Sequence, residues 1–292
     1  DYFAPMVFRE GTRWLEENRE HVENFFLWID CFDPHEPWDP PQKYRDLYNP
    51  GYKGRECIVG KAGDPLEYMT EEELKHTRAL YAGEVTMVDE WFGKFIDKVK
   101  KLGLFDESMI IVVSDHGHPL GEHGIIHKIA NAMFPTLLDI PLLIHHPNGI
   151  GNGKRVKEFV YQHDLFTTIL NFTGVEAPEK VDGEDLWPLV TGTGGPKRDY
   201  VTCGMEKYVW VKDDHFVYIS ETDGANPRLF DLSSDPGNYT DIAADNPKMV
   251  KEMYEKAVES GGGSLPVFDY LPSYMAGATF STGMTRRKEK KA

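Results

Sequence analysis

Cysteine is scarce: Cys31, Cys57 and Cys203 are the only three in 292 residues. Their number is odd and their spacing scattered, which excludes a disulfide framework as the source of stability. Long apolar runs are missing too. No stretch approaches the ~18 residues of a membrane span, so the chain reads as soluble. Positive charge is in deficit, with 32 Lys and Arg against 48 Asp and Glu and a net charge of −16. That balance argues against nucleic acid, whose phosphates would be repelled, and against a polybasic membrane patch. It leaves room for a locally positive anion site. The opening DYFAPMVFREG neither starts with methionine nor has a leader-like apolar stretch. The chain is therefore read as processed or cut from something longer, with no reading of export or of oligomeric state. Sequons at Asn171 and Asn238 are short enough patterns to arise by chance.

What is present begins with length, enough for one large α/β core and a smaller second lobe. Residues 5–21 have helical spacing, with Val7, Phe8, Trp14 and Leu15 apolar among charges. Phe25 to Cys31 (FFLWIDC) predicts a buried strand, broken by DPHEPWDPP, whose four prolines forbid helix and ladder alike. Residues 52–69 predict an irregular surface excursion. Thr70 with Glu73 makes a capping box for a helix to Leu102, with Gly103 as its stop. Leu80, Val85, Val88, Trp91, Phe92, Phe95, Ile96 and Val99 are its expected buried stripe. Strands at 108–114 and 140–145 and a helix at 164–172 complete a βαβ rhythm, that of a mostly parallel sheet covered by helices.

From about Arg198 the pattern changes to short β-rich segments with a hairpin turn at Asp213 and Asp214, an antiparallel sheet closed by a helix over 247–258. Three units are expected: 1–197, a partial α/β catalytic domain; 198–260, an antiparallel β subdomain with its closing helix; and 261–292, a Gly-rich then basic tail read as disordered.

The chemistry concentrates in SDHGHPLGEHGIIHK, residues 114–128, which holds four histidines, two carboxylates and a lysine just after the apolar run MIIVV. In open α/β sheets ligands bind beyond the carboxyl ends of strands. Asp115 and His116 stand at such an end and can reach one cation, with Gly117 allowing the turn. The plainer reading is an Asp capping a turn beside a solvated His. Lys128, after a Gly-punctuated loop, tips the balance, because a cation plus an ammonium holds a tetrahedral oxyanion and its leaving oxygen. His35 lies beyond the other predicted strand, among prolines, where an idle surface histidine is the alternative.

These segments resemble the sulfatase branch of the alkaline phosphatase superfamily, which includes phosphonate monoester hydrolases. FFLWIDCFDPHEPWDPP is similar to the family's strand and "DPH" loop. RALYAGEVTMVDEWFGKFIDKVKKLGLFDESMIIVVSDHGHPLGEHGIIHK resembles its helix, strand and metal loop. YQHDLFTTILNFTGVEAP looks like its next helix, and RLFDLSSDPGNYTDIA its C-terminal segment. The resemblance runs in order to about residue 258.

It implies an alkaline phosphatase/sulfatase-like α/β fold and a metal-dependent sulfuric ester hydrolase. Asp115 and His116 would be metal ligands and Lys128 would contact the sulfate and leaving oxygen. His35 would help bind the ester or protonate the leaving group. Ca²⁺ is the expected ion; His116, where other members have Asn, leaves Mn²⁺ or Mg²⁺ open. The substrate would be a small-molecule or carbohydrate sulfate ester. Glu122 and His123 are expected to shape the loop and Asp164 to be structural. His118 matches no functional position, and His127 is expected to be solvated rather than pocket-lining. His145, His146 and His163 are read as packing or rim residues, and Trp28 as core. Trp38 is read as core or as a sugar-stacking rim.

Two family elements have no counterpart. One is the Cys-or-Ser, x, Pro, x, Arg motif whose first residue becomes a formylglycine nucleophile; the other is an Asp-Asp pair after the first strand. Cys31 is one residue out of register, Ser264-Leu-Pro266-Val-Phe268 has Phe in place of Arg, and Asp213-Asp214 falls on a hairpin. The expectation is a C-terminal three-fifths of a sulfatase, inactive alone. Its rivals are a phosphonate or phosphate ester hydrolase and a non-catalytic anion-binding homologue.

Overall fold

The computed structural model describes residues 2–177 and 180–267. Most of the expected 261–292 tail, with Phe268, lies outside them. Helix α1 (Phe3–Asn18) lies along the long helix described below, burying Ala4, Phe8 and Leu15 against Phe95 and Val99. A short turn of helix, α2 (Gln42–Arg45), follows the proline-rich loop. Helix α3 (Glu71–Lys101) starts with the predicted capping box: Glu73 N–H donates to Thr70 Oγ1 at 3.2 Å and Thr70 N–H to Glu73 Oε2 at 2.8 Å. It ends at Gly103, whose φ of +72° suits a residue without Cβ.

The buried stripe of α3 is not one stripe. Its first half presents Leu74 and Leu80 to a cluster with Trp38, Cys57, Ile58, Met69, Leu120 and Ile126; its second half presents Phe95 and Val99 to α1. Because the helix changes partner along its 31 residues, Val85 falls between the two faces and is exposed. The same cluster corrects the reading of 52–69 as a surface excursion. That segment is irregular, but it feeds Cys57, Ile58 and Met69 into the core.

Strand β1 (Ile110–Val113) pairs with β2 (Leu142–His145), with Ile110 opposite His145 and Val113 opposite Leu142. The pairing is antiparallel, so the parallel βαβ expectation does not hold for this pair. The reason is the connection, an irregular loop with one four-residue helix, α4 (Pro135–Leu138), where a parallel return needs a full crossover. The expected strand Phe25 to Cys31 has no ladder. Alternate residues Leu27, Ile29 and Cys31 pack on α1 and α3, while Phe26 and Trp28 turn outward, 67% and 71% exposed. Trp28 is therefore not core.

Helix α5 (Asp164–Thr173) and the short α6 (Trp187–Thr191) place Leu165, Leu186 and Leu189 against Ile111, Val113, Leu142 and Ile144. A four-stranded antiparallel meander follows: β3 (Tyr200–Met205), β4 (Tyr208–Asp213), β5 (Phe216–Glu221) and β6 (Arg228–Asp231). Helix α7 (Pro247–Ser260) closes one face over Val209, Val211, Tyr218 and Leu229. The other face, with Val201, Trp210, Val217, Ile219 and Phe230, packs on Met133 and Phe134 from the β1–β2 connection. Asp164, wholly buried, receives both guanidinium nitrogens of Arg198 at 2.8 Å and so ties α5 to the start of β3. No helix among the described residues is long and apolar enough to cross a membrane.

Candidate active site

The proline-rich loop is held from several sides. Asp33 Oδ2 accepts from Ala4 N–H at 2.7 Å, Trp38 Nε1 donates to the Pro34 carbonyl at 3.1 Å, and the His35 ring stacks on Phe32. Trp38 is fully buried, which settles it as core rather than rim. His35 Nδ1 lies 2.8 Å from the Glu36 carbonyl, and Lys128 Nζ lies 3.1 Å from His35 Nε2. An ammonium only donates, so Nε2 is the acceptor and Nδ1 carries the proton to the carbonyl. Two residues 93 apart in sequence thus meet in one hydrogen bond with a fixed tautomer.

Glu36 is the residue the sequence did not signal. Its Oε1 lies 3.2 Å from His127 Nδ1 and 3.8 Å from Lys128 Nζ, and its Oε2 lies 3.5 Å from His35 Nδ1 and 4.0 Å from His118 Nδ1. Burial works to raise its pKa, but the hydrogen bond with His127, its own backbone N–H and the charge of Lys128 outweigh that and lower it to about 2. His127 is not solvated, as expected, but nearly enclosed, its Nε2 2.7 Å from the Gly60 carbonyl. His118 is enclosed as well, edge-on to Trp38, and burial pushes its pKa down to about 4.

Asp115 and His116 form a second, more open pair. Asp115 Oδ2 lies 3.3 Å from His116 Nε2, and its carboxylate is 81% exposed. His116 Nδ1 is 2.7 Å from the Gly117 carbonyl, which fixes the proton there and leaves an Nε2 lone pair beside the carboxylate. Gly117 is required for packing: a Cβ would stand 2.2 Å from the Thr136 carbonyl oxygen. Glu122 accepts from Leu120 N–H at 2.6 Å, and His123 stacks between Phe134 and Tyr239 at a φ of +55°. Both shape the loop. His145 and His146 stack on Phe105 and Trp187, and His163 on Tyr161.

Fold and site together define a class, an α/β protein with a lysine, imidazoles and carboxylates gathered in the loops beyond a strand end. A model of the sulfatase family matches residues 6–175, and a model described as N-sulphoglucosamine sulphohydrolase, C-terminal, matches residues 121–260. The chain belongs to the sulfatase family. It is 27% identical over 261 residues to an arylsulfatase of Clostridium perfringens, covering 81% of this chain and 52% of that protein. A putative sulfatase from Bacteroides fragilis superposes with a TM-score of 0.73 at 24% identity, over 90% of this chain and 59% of that one. The phosphonate monoester hydrolase of Agrobacterium radiobacter gives the same TM-score and identity, over 90% and 61%. These two show the fold, the sulfatase-like α/β architecture with a C-terminal antiparallel sheet. The chain spans about half the length of the curated relatives it matches.

Proposed function

We propose that this chain supplies the metal-binding and leaving-group side of an active site that hydrolyses sulfate monoesters of small molecules or carbohydrates. The observation that carries the reading is the contact of Lys128 with His35. Lys128 would donate to the equatorial sulfate oxygens and the ester oxygen, where negative charge grows in the transition state. His35, with Nδ1–H held on the Glu36 carbonyl, would act through Nε2, which takes a proton from the Lys128 ammonium, leaving a neutral amine, and passes it to the departing alcohol oxygen. Lys128 Nζ holds that proton 3.1 Å from Nε2.

Asp115 and His116 would hold the divalent cation, Ca²⁺ foremost, with Mn²⁺ or Mg²⁺ left open. The aligned Oδ2 and the unprotonated Nε2 of His116 fit a cation as a pair. They fall short of the ~6–8 ligands calcium takes, and further ligands would come from outside this chain. Bound, the ion would neutralise charge on the sulfate oxygens. A formylglycine nucleophile and its Arg are likewise assigned to residues outside this chain, so the chain alone should be inactive.

The phosphonate or phosphate ester reading stays as second, favoured by the equal likeness to a phosphonate monoester hydrolase. Aryl sulfate against aryl phosphonate, offered to the protein joined to its upstream segment, separates the two. In that protein Lys128→Ala and His35→Ala should each lower kcat/KM by roughly two or more orders of magnitude. Unchanged turnover in both variants would overturn the roles given to Lys128 and His35, and no turnover of either ester by the unmutated joined protein would leave only the anion-binding homologue.

A further inference from the structure

Beside the Lys128–His35 pair, three side chains from two distant loops bring metal-ligating atoms close together. A carboxylate oxygen of Glu36 and one ring nitrogen each of His118 and His127 all lie within 4.8 Å of one another. The geometry points to a second cation site here, formed by Glu36, His118 and His127 and suited to a first-row transition ion such as Zn²⁺.

His127 is oriented by a contact on its far side. His127 Nε2 is tied to the Gly60 carbonyl at 2.7 Å, so that nitrogen carries the proton and Nδ1 faces Glu36. Nδ1 stands 3.2 Å from Glu36 Oε1, the hydrogen bond described above, and a bound cation would take the place of the proton between them. That spacing is close to the ~3.3 Å that separates neighbouring ligands when each is about 2.0–2.1 Å from a tetrahedral zinc. His118 is 93% buried, edge-on to the wall formed by Trp38, and its Nε2 has no hydrogen-bond partner. Glu36 Oε2 is likewise buried without one. Buried polar atoms without a protein partner are rare, and a bound ion is one way to satisfy them.

The donor chemistry selects the ion. Two imidazoles and one carboxylate suit zinc and its first-row neighbours, whereas calcium and magnesium prefer all-oxygen shells. Lys128 also approaches Glu36, at 3.8 Å from Oε1, but its closer contact is His35 at 3.1 Å, and Oε2 points to the histidine side. The site shares no ligand with the Asp115–His116 pair, so it stands or falls independently of the sulfatase reading.

The test uses the chain itself, stripped by a chelator and titrated with Zn²⁺ alone, with bound metal counted after dialysis. One tightly bound Zn²⁺ per chain is expected. Glu36→Gln and His118→Gln should each weaken it by ~100-fold or more, since even outer contacts to metal ligands are worth 10–100-fold. Asp115→Asn should leave it within about threefold. In the unmutated chain loaded with Co²⁺, the paramagnetically shifted imidazole resonances should belong to His118 and His127. No stoichiometric binding, loss of binding in Asp115→Asn but not in Glu36→Gln, or shifted resonances from His116 would each overturn the site.

Discussion

Among the described residues, the two sheets both hold apolar strand residues, which end in different states. In the meander, β4 and β5 have a neighbour on each side and cover on both faces, and Val211, Tyr218, Ile219 and Leu229 are completely buried. In the pair β1–β2 each strand has one neighbour, Leu143 is 60% exposed, and the adjoining aromatic segment puts Phe26 and Trp28 in solvent. Strand sequence therefore sets what could be buried, while partners within the chain decide what is. An uncovered apolar edge beside a short ladder invites association, and the residues proposed to act on the ester sit in this less covered region.

The sharpest way to break the contrast is at the joint between the regions. Arg198→Ala would leave Asp164, fully enclosed on α5, with a buried charge and no cation. A loss of about 3–5 kcal/mol is expected. In urea unfolding followed by hydrogen exchange, protection should fall in α5 and β1–β2 before it falls in β4 and β5. Simultaneous loss in both regions would show that they do not differ in stability.

A smaller effect sharpens the comparison from the other side. Asp213 at the hairpin turn receives N–H groups from His215 and Phe216 and the Lys256 ammonium from α7 at 2.5 Å. Burial alone would raise its pKa, yet these donors hold it below the usual carboxylate range. Its stabilisation is thus complete above the unfolded value of about 4 and is lost as pH falls through the lower folded value. Asp213→Asn should lower stability by about 1–3 kcal/mol at neutral pH, with the gap to the parent closing in acid. Thermal melts across that range check it; a gap that widens in acid would reverse the assigned direction.

The smallest effect belongs to the exposed edge. Leu143→Thr should change stability by no more than about 0.5 kcal/mol, while light scattering should show less association. A large destabilisation would mean that Leu143 is covered in solution.

Helix α3 was legible to the residue at its cap because a capping box is a local device, and the meander because short β-rich runs separated by turn residues are local as well. The segment Phe25 to Cys31 misled for the same reason that β1 did not: apolar character is local, but a ladder partner is not. In the site, His35 and Lys128 stood out by their motifs. Glu36 did not, because its meaning comes from His118 and His127, more than eighty residues away. His127 looked solvated until Gly60, 67 residues upstream, closed over it.

That separation has a consequence for how the chain acquires its shape. The hairpins of the meander join strands that are neighbours in sequence, whereas the Lys128–His35 contact spans 93 residues and the His127–Gly60 contact 67. Long loops are closed late, since their entropy is lost before any contact rewards it. A refolding chain should therefore regain the environment of Trp210 in the meander sooner than that of Trp38 behind the pocket. Stopped-flow fluorescence of single-tryptophan variants would time the two events. During the interval between them, the pocket's histidines and carboxylate are separate, solvated groups, open to whatever metal or proton reaches them first.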